Sequence, residues 1–218
     1  MNAEEVYPEI GRILAADLGS LTGNGRFSAM PPSSLHAWSL PEPDKAALSA
    51  YGLPGPRTDG LYGVTGDFQP SGEPELTQDG ARFYRLGGYA GVRHLAEEGT
   101  GRVVLPVPTS AEVHPQLAAR FPDRRTFKPV NSSVTAWVEC AWRWHWLVPL
   151  ITEQWKQAEE AQLAAWRDAA GGAPDAEFAD FHAPYRRLCR QVVVAFELID
   201  PAAVASEESF WTEVISER

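Results

Sequence analysis

The chain has 218 residues, 44% hydrophobic and 22% charged, enough for one well-buried core and inconsistent with a largely disordered polypeptide. Its formal net charge of -10 opposes binding to a nucleic-acid phosphate backbone and suits either a basic protein partner or plain solubility. No apolar run is long enough to span a bilayer, the strongest candidate being interrupted by Glu139, Arg143, His145 and Pro149.

In chain order, Val6, Ile10, Ile13, Leu14 and Leu18 share one face of a helix predicted over Glu4 to Leu18, with Pro8 early enough to be tolerated. The start of the chain has no basic segment followed by an apolar one, so no secretory signal is read there and a cytoplasmic location is expected. Gly19 to Pro32 is rich in Gly, Ser and Pro and reads as a linker, followed by a short helix at Ser34 to Trp38. Residues 1–38 are therefore expected to be a helical extension with its linker, ahead of a main domain over 39–218. Asp44 is the predicted N-cap of a helix from Lys45 to Tyr51, which Gly52 would close.

From Leu61 to Val130 the pattern changes to short apolar runs between Gly, Pro and Asp clusters. Strands are predicted at Leu61–Val64, Arg82–Leu86, Val92–Leu95, Arg102–Val107 and Phe127–Val130, with turns at Gly87-Gly88 and at Glu98 to Gly101. Connections this short allow only antiparallel neighbours, hence a meander, while Pro108 to Arg125 reads as a loop. Asn131-Ser132-Ser133 then supplies side chains able to cap a helix carrying Val134, Trp137, Ala141, Trp144, Val148 and Ile151 on one face. The triplet also matches a glycosylation sequon, but without a secretory signal capping is the better reading. Helical character continues from Gln154 to Ala169, breaks at Gly171 to Pro174, and resumes from about Ala176 to Ile199, where Pro184 is expected to kink or split it. Asp200-Pro201 forms a turn before a last helix over Ser206 to Ile215. The class is α+β: a central, mostly antiparallel sheet flanked by helices, with a helical elaboration at about 151–187.

No constellation for chemistry stands out. His36, His94, His114, His145 and His182 are not paired at metal-ligand spacing, and Cys140 and His145, five apart, point in different directions on a helix. The Gly-rich run Arg82 to Gly91 lies between strands and not before a helix, so it reads as a hairpin and not a phosphate cradle. No catalytic residue, cofactor site or metal site is predicted. Cys140 and Cys189, in apolar helical stretches, read as buried free thiols. Trp137, Trp144 and Trp155 share a face with Val148 and Ile151 and are expected to fill the core. Trp142 and Trp146 lie on another side, either in a second local core or as an exposed patch. Glu153, Glu159, Glu160, Asp168, Asp175, Glu177 and Asp180 line the two middle helices and their connection. By default they read as a solvated helix face; in the sharper reading they join Trp142 and Trp146 as the predicted partner-binding residues, an acidic face for a basic protein.

The order of short motifs adds to this. Leu40-Pro41 and Gly52-Leu53-Pro54 come first, then Phe83-Tyr84-Arg85-Leu86-Gly87 and Gly99-Thr100-Gly101-Arg102-Val103. Val130-Asn131-Ser132-Ser133 follows, and the set closes with Ile199-Asp200-Pro201-Ala202-Ala203 and Ser209-Phe210-Trp211. The succession, over roughly residues 39 to 217, resembles the SUKH superfamily, and within it the actinobacterial subfamily of immunity proteins. That resemblance implies the sheet-and-helix fold and a non-catalytic antitoxin that binds a cognate toxin, often a nuclease or deaminase. The sequence leaves monomer and homodimer both open, an exposed Trp being the one feature that would support a homodimer. It also makes Asn131 a structural cap and Trp211 a core anchor. The alternative within the superfamily is a general interaction or regulatory scaffold, and an enzyme acting on a small molecule is the reading least supported by the residues.

Overall fold

The computed structural model describes residues 3–23, 27–28, 32–57, 59, 61, 63–65, 73–76, 80–89, 92–106, 127–170 and 179–216. The first half is helical: α1 (Ala3–Ala15), α2 (Leu18–Thr22), α3 (Pro32–His36) and α4 (Glu42–Tyr51), with β1 (Phe27–Ser28) pairing antiparallel with β2 (Leu53–Pro54). The first helix stops at Ala15, and Leu18, read as its end, instead opens α2, which runs into the stretch read as a linker; its start is capped by the Asp17 carboxylate accepting from the Ser20 N–H at 2.9 Å. Sequence pattern missed it because one helical turn carries no periodicity.

The sheet comprises β3 (Glu75–Leu76), β4 (Arg82–Tyr89), β5 (Val92–Glu97), β6 (Val103–Pro106) and β7 (Phe127–Asn131), in that order and antiparallel throughout. The meander is as expected, with three differences. Among the described residues of Leu61–Val64 none is in a strand, whereas Glu75–Leu76, which the sequence pattern passed over, forms an edge strand. Gly87 and Gly88 do not make the turn but lie inside β4. There the pairing slips from Arg85↔Leu95 to Gly87↔His94, and Gly87 takes φ 122°, a β-bulge conformation that only glycine adopts easily.

Strand alternation splits the sheet's side chains between two faces. Tyr84, Leu86, Ala96, Val103 and Val130 join the main core, while Phe83, Leu95 and Val104 form a smaller cluster on the opposite face, against Ala81 and Phe127. Covering the main face is α5 (Val134–Ala170), a single 37-residue helix that runs through Pro149. Antiparallel to it lies α6 (Ala183–Ile199), then a 3-10 turn (Pro201–Val204) and α7 (Phe210–Ser216). Pro184 sits in the first turn of α6, where its missing N–H costs nothing, so it begins a helix and does not kink one. Ser206 to Ser209 precede α7, which starts later than expected. The expected break at Gly171 to Pro174 lies outside the described residues.

Trp137 and Trp144 are fully buried on the face expected of them and meet Trp211 of α7 at ring-centroid distances of 5.5 and 6.4 Å. Buried His94 of β5 lies 4.6 Å from the Trp137 ring and 4.9 Å from that of Phe210. Val6, Ile10 and Ile13 of α1 are buried in this same cluster. Both cysteines are buried free thiols, and burial pushes the Cys140 thiol far above its ordinary value.

The start of α5 shows how the halves are joined. The Ser133 hydroxyl caps it by accepting from the Ala136 N–H at 3.1 Å. A second acceptor comes from α4: the Asp44 carboxylate receives both the N–H and the hydroxyl of Thr135, each at 2.8 Å. Asp44 is therefore not the cap of its own helix, which begins at Glu42 behind Pro41; it caps α5 across the tertiary fold. Asn131 is not a cap either. Its amide donates to the Asp200 carboxylate at 2.9 Å while its carbonyl oxygen accepts from the Trp211 indole N–H at 2.9 Å.

Candidate docking surface

Trp142 and Trp146 follow from the geometry of α5. Their side faces the C-terminal ends of the N-terminal helices, where the last carbonyls of a helix have no intrahelical partner. The Trp142 indole N–H donates to the carbonyls of Tyr51 and Gly52, both at 3.2 Å, closing α4. The Trp146 N–H donates to the Leu21 carbonyl at 3.0 Å, in α2, and the Arg143 guanidinium donates to the Ala16 carbonyl at 3.1 Å, just past α1. Arg143 is held in turn by Glu139 at 3.0 Å, one turn back. Trp142 is fully buried and Trp146 half-buried, so this side of α5 is the local core and not an exposed patch. The signal for it was present, since an indole carries one donor and seeks one acceptor when buried.

His145 lies between these rings, 5.8 Å from Trp142 and 5.4 Å from Trp146, and its backbone carbonyl accepts from the Arg57 guanidinium. Burial, then the charge of Arg57, lowers its pKa to about 4, against an ordinary 6.5. Its neutral form is thus favoured by the fold, and the unfolded chain binds a proton more readily between these values. Stability is whole above pH 6.5 and is lost as the pH falls toward 4, by about 2–3 kcal/mol from this group. Urea titrations across that window should show the loss, and His145→Gln should flatten it relative to the parent chain.

Beyond Ala158 nothing on α5 is fully buried, and the last turns project from the core by roughly 18 Å at 1.5 Å per residue. Glu160 and Asp168 are exposed and Glu159 half-buried on this segment, Glu153 is exposed ahead of it on the same helix, and Asp180 is exposed just ahead of α6. Asp175 and Glu177 lie outside the described residues. The acidic side chains do not converge on one spot. At 100° per residue Glu159 and Asp168 lie on opposite sides of the helix, with Lys156 and Arg167 between them on the outward face. Three are already engaged: Glu153 accepts from Gln157 at 2.8 Å, Glu159 meets His182 at 3.2 Å, and Asp180 is paired with Arg186.

What does converge is an apolar pair that the sequence reading passed over. Leu163 is 42% and Trp166 51% exposed, and with Glu159 they fall within about 60° of helical arc, Glu160 standing on the flank. An exposed Trp beside an exposed Leu, with Glu159 and Glu160 one turn before the pair and Arg167 one turn after Leu163, all on a projecting helix, has the composition of a binding hot spot. The signal was the break in periodicity: after Ile151 large apolar residues leave the inward face.

Among the described residues no group of three or more His, Cys, Asp and Glu could hold a metal ion, and no helix is long and apolar enough to cross a membrane. The family model described as SUKH-4 immunity protein matches residues 13–217. No curated protein and no solved structure matches the chain.

Proposed function

Because the chain belongs to the SUKH-4 immunity protein family, we propose that it neutralises a cognate toxin in the cytoplasm by binding it and covering its active surface, with no reactive group of its own. The observation that carries this reading is the exposed Leu163–Trp166 pair on the projecting half of α5, with Glu159 and Glu160 beside it. The partner this favours is a basic toxin domain, such as a nuclease or deaminase. The carboxylates beside the apolar pair speed encounter with a positive surface, while the Trp166 indole, covered on binding, supplies affinity. Trp142 stays within the fold and takes no part in the contact; Trp146 supports the helix from behind.

The test is co-expression with a toxin domain taken from a gene neighbouring this one. The parent chain should restore growth and co-purify with the toxin. Trp166→Ala is expected to weaken the complex by about 30-fold or more, the scale of a hot-spot aromatic. Glu159→Lys with Glu160→Lys should mainly slow association, and the more so at low salt. Purified protein that turned over a small molecule, and stopped on removal of one polar side chain, would overturn the reading. A partner that is no toxin would favour the scaffold role.

A further inference from the structure

The outer face of α6 is a separate exposed surface. Tyr185, Leu188, Cys189, Val192 and Phe196 point into the core, leaving Arg187, Arg190, Gln191, Val194, Glu197 and Leu198 in solvent. Two of these are aliphatic, Val194 at 55% and Leu198 at 84% exposed, one helical turn apart. At 100° per residue Val194, Leu198, Arg187 and Gln191 form the midline of this face, and Arg190 and Glu197 stand together on one flank. Among the described residues neither Arg190 nor Glu197 is in an ion pair.

We propose that this face binds a second copy of the chain, α6 against α6 and antiparallel, about a twofold axis near Val194. In an antiparallel helix pair the same flanks face each other. The residues that meet across the axis are those equally far from it on either side. With the centre between Val193 and Val194, Arg190 of one protomer meets Glu197 of its partner, and Glu197 meets Arg190, while the Val194 side chains pack at the centre. The stripe is thus complementary to itself only in this orientation; in a parallel pair the flank carrying Arg190 and Glu197 would face the partner's other flank, and the two charges would not meet. A basic partner fits this face poorly, because Arg187 and Arg190 outnumber the one carboxylate on it, Glu197. The surface is distinct from the Leu163–Trp166 pair, so its fate does not depend on the toxin reading.

A single-helix contact of this length buries on the order of 1,000 Å² in total, at the low end of specific interfaces, so dissociation in the micromolar range is expected. Sedimentation velocity on the full chain between about 1 and 200 µM should show a reversible monomer–dimer equilibrium. Leu198→Glu should abolish it. Glu197→Arg alone and Arg190→Glu alone should each weaken it by roughly 10-fold or more. Both substitutions in one chain should restore it, and an equimolar mixture of the two single variants should form a heterodimer. All these positions are exposed, and circular dichroism will verify that each variant is folded. A chain that stays monomeric throughout, or a dimer indifferent to Leu198→Glu and to the charge exchanges, overturns the proposal.

Discussion

Asp200→Ala is expected to cost about 3–5 kcal/mol of folding stability, the range for removing one partner of a buried charged network. Asp200 is buried, and its carboxylate is the acceptor on which the C-terminal quarter of the fold converges. One oxygen receives the Asn131 amide at 2.9 Å and the Ser132 N–H at 2.7 Å; the other receives the Ala202 N–H at 3.1 Å, starting the 3-10 turn. Without it the Asn131 amide loses its main acceptor within the core, keeping only a weak contact to the Cys140 sulfur at 3.8 Å. Asn131 in turn orients the Trp211 indole, so the fault reaches the aromatic centre. Urea unfolding should show a lower midpoint with an unchanged slope. Asp200→Asn keeps the shape and one acceptor and should lose about half as much. A drop under about 1 kcal/mol for Asp200→Ala would show that water replaces the carboxylate without penalty.

The second large effect is expected at Gly101, in the turn between β5 and β6. Gly101 has φ 70°, which disfavours any side chain, and a Cβ built there would lie 1.9 Å from the Asp44 carboxylate and 3.2 Å from Pro41 Cδ. The carboxylate cannot simply swing away, because it is fixed by the two Thr135 donors that cap α5. The turn itself is anchored on the same side. The Gly99 N–H donates to the Ser39 carbonyl at 2.6 Å, and the Tyr84 hydroxyl accepts from the Ser39 N–H at 2.9 Å while donating to Glu98 at 3.0 Å. Gly101→Ala therefore combines backbone strain with loss of the cap, about 3 kcal/mol or more together. Asp44→Ala alone should cost about 1–2 kcal/mol. The double variant should be less damaged than the sum, because the methyl group then fills the space that the carboxylate left. Thermal melts of the four proteins give the coupling directly. Simple additivity would mean that the two residues do not contact one another.

The sheet order was legible from Arg82 to Val107 because short runs joined by short turns permit only antiparallel neighbours; the strand at Phe127 was legible as an element, but its place beside β6 came only from the pairing. The inward faces of α1 and the first half of α5 were legible from their period. The turn expected at Gly87-Gly88 was not, because glycines look alike in a turn and in a bulge, and only the pairing of β4 with β5 tells them apart. Leu61–Val64 and Glu75–Leu76 exchanged roles for a similar reason: a strand of two residues is defined by its neighbour and not by its own pattern. Of the residues expected to bind a partner, Glu153, Glu160 and Asp168 stand exposed on α5, Glu159 is half-buried there, and Trp142 stands inside the fold.

The chain's periodicities by themselves determined which side of each long helix is apolar, because burial depends on what a residue repeats with along its own backbone. Partners across the fold were decided only by folding. Asp44 caps α5 and not α4, Asn131 bridges Asp200 and Trp211, and Trp142 closes the end of α4. Each is a donor meeting an acceptor from a distant segment, and hydrogen bonds of that kind leave no local pattern, since either group would have been satisfied by water until the segments met.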